Sequence, residues 1–112
     1  MQSNRLYPIE LVYFDATTLT NAYQCINDDG IERPCNILRF ISTSDVAIMI
    51  SYDGINDHDV IRRLTAVDIN AQLNKQPNGF VSLFAKGTKI YVKYILGAAK
   101  SGYLRITGYS SE

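Results

Sequence analysis

The chain has 112 residues, of which 46% are hydrophobic and 20% are charged, a composition typical of one globular domain. Eleven basic residues balance eleven acidic ones, so no long-range field favours nucleic acid or a membrane surface. No apolar run reaches the roughly 20 residues that span a bilayer, and Met1–Leu6 lacks the apolar core of a signal peptide. We therefore predict a single domain over residues 1–112 that is made in the cytoplasm and has no membrane partner.

The first half of the chain predicts strands. The run Ile9–Phe14 carries bulky groups on both faces, which is typical of a strand covered on two sides, and residues 1–8 could form an extended N-terminal arm before it. The run Cys35–Ile41 alternates with period two. The run Val46–Tyr52 is almost wholly apolar and predicts a central strand. Ser42–Asp45 lies between these two runs and predicts a hairpin connection.

Two cysteines flank a turn-rich segment in this half. Cys25 and Cys35 stand on either side of Asn27–Pro34, so a hairpin could bring them close enough for a disulfide. In a reducing compartment two such residues are more often free thiols packed as small apolar groups, and we expect this state. A zinc site would need four ligands, and two cysteines with one distant histidine do not supply them.

The second half continues the β pattern. Leu64–Leu73 is rich in β-branched residues and precedes the turn-rich Asn74–Gly79, which favours a strand or an irregular connection with at most one helical turn. Lys89–Ile95 and Tyr103–Tyr109 show the clearest alternation in the chain. We therefore predict an all-β fold, an antiparallel β-sandwich of seven or eight strands with a jelly-roll or immunoglobulin-like topology.

The polar segment Asp53–Asp59 is the first candidate site. Its carboxylates could hold a hard cation, but the spacing matches no EF-hand loop, and Asp and Asn also favour turns through local hydrogen bonds. We expect a solvated hairpin loop there and no metal. His58 is the single histidine, and no serine or cysteine stands in a recognisable nucleophile context. These observations favour a protein that is not an enzyme.

Gly97–Gly102 has a faint similarity to a phosphate-binding loop. In a P-loop the second glycine precedes the Lys-Ser pair and a helix follows, whereas here Lys100 and Ser101 come before Gly102 and a predicted strand follows. Both the order and the context therefore fail, and we expect a hairpin loop without a cofactor.

Basic and tyrosine residues are interleaved in the C-terminal third. Such a pattern can bind single-stranded nucleic acid, but the zero net charge argues against that partner, and lysines on a solvent face also protect edge strands. We expect a solvated or protein-contact face, because Tyr and Arg are enriched at binding hot spots. The candidate contact residues are Tyr91, Lys93, Tyr103, Arg105 and Tyr109. Each has the alternative explanation of a half-buried sheet residue.

Four segments form an ordered series: Asp45–Gly54, His58–Ile61, Ser82–Lys93 and Ser101–Tyr109. The series resembles small β-sandwich virion proteins of tailed bacteriophages, namely head-decoration, cement and neck components, over about residues 36–109. The resemblance implies a non-enzymatic viral structural protein without cofactor, synthesised in the host cytoplasm and present in many copies on the virion. The first expectation is a capsid decoration or cement protein that stabilises the head by bridging subunits of the major capsid protein, as a dimer or other homo-oligomer.

Two alternatives remain at this point. A head–tail adaptor, neck or tail component would bind other virion proteins through the same kind of adhesive β domain. A carbohydrate-binding module would also be a small tyrosine-bearing sandwich, but such modules usually stack sugars on Trp, and the chain has none.

Overall fold

The computed structural model describes residues 7–70 and 84–110. Within these ranges eight strands form two four-stranded antiparallel sheets, which confirms the predicted all-β sandwich. A single 3₁₀ turn, Ala16–Thr18, is the one helical element of the described ranges. The strands are β1 (Tyr7–Asp15), β2 (Gln24–Cys25), β3 (Ile37–Ser42), β4 (Ile48–Ser51), β5 (Asp59–Ile61), β6 (Ala66–Asn70), β7 (Tyr91–Tyr94) and β8 (Tyr103–Ser110).

The strand order identifies the topology. Sheet I has the order β1-β8-β3-β6, and sheet II has the order β2-β7-β4-β5. The pairings β1–β8, β2–β7, β3–β6 and β4–β5 are nested like one long hairpin, and the chain changes sheet at every connection except β4–β5. The described strands therefore form an eight-stranded jelly roll. The immunoglobulin-like alternative, in which the first, second, fourth and fifth strands share one sheet, does not fit this order.

The core lies between the inner faces of the two sheets. Leu38 and Phe40 of β3 are fully buried, as are Leu104 and Ile106 of β8 on the same sheet. Sheet II contributes Ile48 and Ile50 of β4, Val92 of β7 and Ile61 of β5, also fully buried. Each such side chain contributes roughly 1.5–3 kcal/mol relative to full exposure, as an upper estimate. The central position predicted for Val46–Tyr52 is confirmed, since β4 lies between β7 and β5.

Two of the predicted hairpins are wrong. Ser42–Asp45 joins β3 in sheet I to β4 in sheet II, and Gly97–Gly102 joins β7 in sheet II to β8 in sheet I. The two connections run side by side. The Thr43 N–H donates to the carbonyl of Tyr103, and the Tyr103 N–H donates to the Thr43 hydroxyl, both at 2.9 Å. Turn residues can therefore form a connection between two sheets as well as a hairpin within one sheet. The hairpin predicted at Asp53–Asp59 is confirmed, because β4 pairs with β5.

Strand β1 differs from its prediction in two respects. It is the outermost of the described strands of sheet I, and Tyr13 is 64% exposed, so this strand is not covered on both sides. It also begins earlier than expected. Tyr7 and Pro8, which the sequence assigned to an extended arm, pair with Ser110 and Tyr109 of β8. Residues 1–6 lie outside the described part of the chain.

Leu64–Leu73 contains strand β6, and its last residues, 71–73, fall outside the described ranges. Sequence periodicity missed β2 and β5 because two or three residues are too few to show a period. It also missed the 3₁₀ turn, whose N-cap is Asp15. The Asp15 carboxylate accepts from the Thr17 N–H at 2.9 Å. Across the described ranges, no helix has the length and apolar character needed to cross a bilayer.

Candidate functional site

The five predicted contact residues do not form one surface. Tyr103, Arg105 and Tyr109 alternate along β8 with buried residues, so they lie on the outer face of sheet I. Tyr91 and Lys93 flank buried Val92 on β7, so they lie on the outer face of sheet II. The jelly roll thus separates them onto opposite sides of the sandwich, here called face I and face II.

Face I is rich in tyrosine. Tyr13 of β1 and Tyr103 of β8 are diagonal neighbours across the strand pair, and their rings stack with centroids 4.7 Å apart at 22°. Such diagonal pairs lie within reach of aromatic side chains. Each ring restricts the rotation of the other, so the exposed face of Tyr13 is held in a defined position. Sequence analysis missed Tyr13, because it assigned both faces of β1 to the interior.

An arginine with its carboxylate partner lies on the same face. The Arg39 guanidinium of β3 donates from Nε and Nη2 to the two carboxylate oxygens of Asp68, at 2.7 and 3.0 Å. It also lies 5.5 Å from the ring centroid of Tyr109. The hydrogen bond from Arg39 holds the pKa of Asp68 below its ordinary value. Both partners are about half exposed, so this pair adds little stability but fixes the guanidinium over the sheet.

Face I carries several residue types that are common at protein-binding surfaces, beside the polar residues Asp68 and Thr107. Its described side chains include Tyr, Ile and Arg but no Lys, and interface cores are enriched in Tyr and Arg and depleted in Lys. They stand on the three paired strands β1, β8 and β3, which hold them in a fixed arrangement. This group consists of Tyr13, Tyr103, Tyr109, Ile37, Ile41, Arg39 and Arg105.

On face II, the two predicted contact residues, Tyr91 and Lys93, contact other residues of the chain. The Lys93 ammonium lies 4.4 Å from the ring centroid of Tyr23 and 3.5 Å from Oδ1 of Asp57. The Tyr23 hydroxyl donates to the same oxygen and, with the Lys93 charge, lowers the pKa of Asp57. The ring of Tyr91 packs against Gly54. Tyr91 and Lys93 are both half-buried, as in the alternative explanation considered for them.

The acidic loop uses its first carboxylate to form the turn. Oδ1 of Asp53 accepts from the N–H groups of Ile55 and Asn56, both at 2.8 Å, and from the Ser51 hydroxyl at 2.9 Å. The Asn56 side-chain amide donates to Oδ2 at 2.7 Å. These hydrogen bonds, those from the Asn56 and Ile55 N–H groups above all, lower the pKa of Asp53. The carboxylate therefore serves as the backbone cap of the hairpin.

The remaining polar groups of the loop are also engaged locally. His58 Nδ1 accepts from the Tyr52 N–H at 3.0 Å, and the two rings stack at 5.4 Å. The Tyr52 hydroxyl donates to Asp59 at 2.9 Å. Within the described part of the chain, no group of three or more His, Cys, Asp or Glu side chains is placed to hold a metal ion.

The cysteines stand apart from any described site. Cys35 is fully buried and Cys25 is partly exposed, and both are free thiols. Burial raises the pKa of the Cys35 thiol, and the nearby Glu32 adds to the effect. Cys35 therefore behaves as a small apolar group of the core.

Sequence analysis also missed an apolar groove at one end of sheet II. It has a volume of about 550 Å³ and lies at the end of β4 and β5 opposite the acidic loop. Leu96 is 96% exposed beside it. The lining residues come from three connections and from β5. They include the apolar Val46, Ala47, Val60, Ile95 and Leu96 and the charged Asp45, Arg62 and Arg63. No sequence motif marks this groove, because its parts are far apart along the chain.

Comparisons with protein-family models, with curated proteins and with solved structures give no match for this chain.

Proposed function

We propose that this protein is a non-enzymatic structural component of a tailed-phage virion, a capsid decoration or cement protein that bridges neighbouring subunits of the major capsid protein. It is made in the host cytoplasm and acts on the assembled head. The observation that carries the proposal is face I, a tyrosine- and arginine-bearing surface on the paired strands β1, β8 and β3 of sheet I.

The physical support comes from the way face I is built. Tyr13 stacked on Tyr103 presents a large amphipathic surface that has already lost most of its rotamer freedom, so docking costs little further entropy. Arg39, held by Asp68, presents a guanidinium in a fixed orientation. Many identical copies on one particle would convert modest single contacts into strong attachment.

Two further lines of support are weaker. The resemblance over residues 36–109 points to virion proteins of this class, and it includes both central strands of sheet I, β3 and β8. Jelly rolls also occur in viral capsid domains, but they occur in lectins and cupins too. Because a fold hosts many functions, this second point is an analogy only.

The test uses heads that lack the protein, mixed with the purified chain and sedimented. We expect saturating binding near one copy per capsid subunit and greater resistance of the heads to heat, because a ligand that binds only the intact shell stabilises it by mass action. Tyr13→Ala should weaken binding by about tenfold or more, as expected of an interface hot spot. Tyr91→Ala, a matched change on face II, should leave head binding unchanged.

Other outcomes would redirect the assignment. Binding limited to about a dozen copies at one vertex would favour a neck or tail component, since portal-proximal parts follow ring symmetry. Affinity for an oligosaccharide without binding to heads would favour a carbohydrate-binding module, with the exposed ring of Tyr13 as the stacking platform. Head binding that is lost in Tyr91→Ala and retained in Tyr13→Ala would contradict the role given to face I.

A further inference from the structure

The apolar groove lies among most of the exposed hydrophobic side chains of the described chain. Six large hydrophobic side chains are exposed in the described ranges. Three of them, Val60, Ile95 and Leu96, line the groove. A fourth, Leu64, directly follows the lining residue Arg63. Apolar surface gathered at one place in this way is typical of a site that another molecule covers, whereas single scattered side chains need no explanation.

Leu64 stands where the backbone and the solvent both favour another residue. Its φ is +52°, in the left-handed region that favours Gly or Asn, and its side chain is 70% exposed. The Leu64 N–H donates to the carbonyl of Ser44 at 3.2 Å, which helps to hold the backbone in this conformation. A large apolar side chain at such a position indicates a contact outside the chain.

The charged lining of the groove has a net positive charge. Arg62 and Arg63 are exposed, and in the ranges that the structure describes neither arginine forms an ion pair. The third charged lining residue, Asp45, already accepts from the Lys100 N–H, at 3.1 and 3.3 Å. Two guanidinium groups thus stand against one carboxylate beside an apolar surface. Guanidinium groups bind carboxylates in bidentate geometry, so the groove is complementary to an acidic partner.

The undescribed segments of the chain begin and end away from the groove. The described residues that flank these segments pair at the opposite end of the sandwich. The pairs are Tyr7 with Ser110, Asn70 with Ile37, and Phe84 with Cys35. The groove lies where β3 leads into β4 and β7 leads into β8. We therefore assign its occupant to another molecule.

The shape of the groove favours a polypeptide segment. It is a concave site of about 550 Å³, which a flat bilayer surface would leave unfilled. A small ligand is usually buried over most of its surface, whereas the lining residue Leu96 is almost fully exposed. A polypeptide segment can insert side chains into a groove and cover the exposed rim at the same time.

We propose that this groove binds a segment of another polypeptide in which apolar side chains stand next to Asp or Glu. The apolar side chains enter the groove and cover Ile95 and Leu96, and the carboxylates pair with Arg62 and Arg63. The groove is separate from face I, which lies on the outside of sheet I. Binding at the groove therefore goes beyond the proposed function and does not depend on it.

The experiment selects peptides of random sequence, displayed on yeast, for binding to the purified full chain. The selected peptides should combine Leu, Ile or Phe with neighbouring Asp or Glu. Their dissociation constants, measured by fluorescence polarisation, should rise with salt, because exposed ion pairs are screened. Selected peptides that lack acidic residues would overturn the proposal, as would a selection that yields no binding peptide.

Substitutions test whether these peptides bind at the groove. Leu96→Asp should raise the dissociation constant by about tenfold or more, and so should the double variant Arg62→Glu, Arg63→Glu. Because these side chains are exposed, both variants should fold like the wild type, which circular dichroism checks. Peptide affinity that is unchanged in both variants would refute binding at the groove.

Matched controls lie at the other end of sheet II. Ile55→Asp places the same charge on another exposed apolar residue, in the loop that joins the opposite ends of β4 and β5. Lys86→Glu with Lys89→Glu makes the same change in net charge at two exposed residues before β7. Both controls should keep the peptide affinity of the wild type. An equal loss in the controls would show a non-specific charge effect and overturn the proposal.

Leu64→Asn separates a binding role from a structural one. Asn adopts the left-handed conformation more readily than Leu, so the free energy of unfolding should not fall. The dissociation constant of the peptide should rise by about fivefold or more, because an apolar contact is lost. A variant that loses stability and keeps its peptide affinity would contradict the role given to Leu64.

Two other results would replace the polypeptide partner. Sedimentation of the chain with phosphatidylserine vesicles, lost in Leu96→Asp, would assign the groove to a membrane surface. Self-association of the purified chain that is lost in the same variant would assign it to a second copy. Tyr13→Ala, the change that tests face I, should leave peptide binding unchanged. Failure of the groove proposal and failure of the virion proposal are therefore distinguishable.

Discussion

Gly102→Ala, which adds one methyl group, should destabilise the protein because it disturbs the contact between the two crossings that join the sheets. Gly102 lies in the crossing from β7 to β8 with φ +101°, a conformation that L side chains rarely adopt. A Cβ there would overlap the carbonyl of Thr43 and lie 2.6 Å from the Cα of Ser44. Both neighbours are backbone, and Thr43 is held by two hydrogen bonds to Tyr103. The crossing therefore cannot yield by moving a side chain.

Gly87 provides the matched comparison. Its φ is +90°, close to that of Gly102, but a Cβ at residue 87 would meet nothing within 4 Å. Gly87→Ala should thus cost only the conformational penalty, about 1–2 kcal/mol. Gly102→Ala should carry the same penalty and a further 1–3 kcal/mol or so for overpacking. The free energy of unfolding should fall by about 2–5 kcal/mol in that variant.

Urea unfolding monitored by tyrosine fluorescence measures the free energy of unfolding of both variants. Tyrosine is the suitable probe because the chain has eight Tyr and no Trp. Equal m-values in the two variants would show that the same surface is exposed on unfolding. The expected gap corresponds to roughly 4 °C or more in Tm. If Gly87→Ala and Gly102→Ala lower the free energy of unfolding by the same amount, the described close contact between the two crossings is wrong.

Three further outcomes are expected. Asp53→Asn should reduce the fall of the free energy of unfolding at acid pH. The folded pKa of Asp53 lies below its ordinary value, so the contribution of this carboxylate to stability is present above about pH 4 and is lost as the pH falls through the folded pKa. An unchanged pH dependence in urea titrations at several pH values would contradict this. Cys25 should be alkylated before Cys35 in native protein, as followed by mass spectrometry, because Cys35 is buried with a raised pKa; a mass two daltons low with no alkylation would instead show a disulfide. EDTA should leave Tm unchanged, since Asp53 and Asp59 accept hydrogen bonds within the hairpin and Asp57 is held by Tyr23 and Lys93. A fall in Tm that calcium reverses would show a metal site.

Only part of the candidate surfaces could be predicted from the sequence. Alternation placed Tyr103, Arg105 and Tyr109 on one side of β8 and Tyr91 with Lys93 on one side of β7, and the structure agrees with each assignment. It did not reveal that the two sets face opposite ways, because period two defines faces within a strand and not between strands. Arg39 and Tyr13 join face I only through pairing across strands.

The β class, the runs that become the long strands and the alternation of side chains along β3, β7 and β8 could be predicted from the sequence alone, because a half-buried strand must alternate and a central strand must be apolar. Which turns are hairpins and which are crossings between sheets followed from the three-dimensional fold and could not be predicted. Ser42–Asp45, Gly97–Gly102 and Asp53–Asp59 all contain residues that favour turns, yet only the last joins paired strands. The physical reason is that turn residues set local backbone geometry, whereas strand partners are chosen by burial of both inner faces against each other, a property of the whole chain.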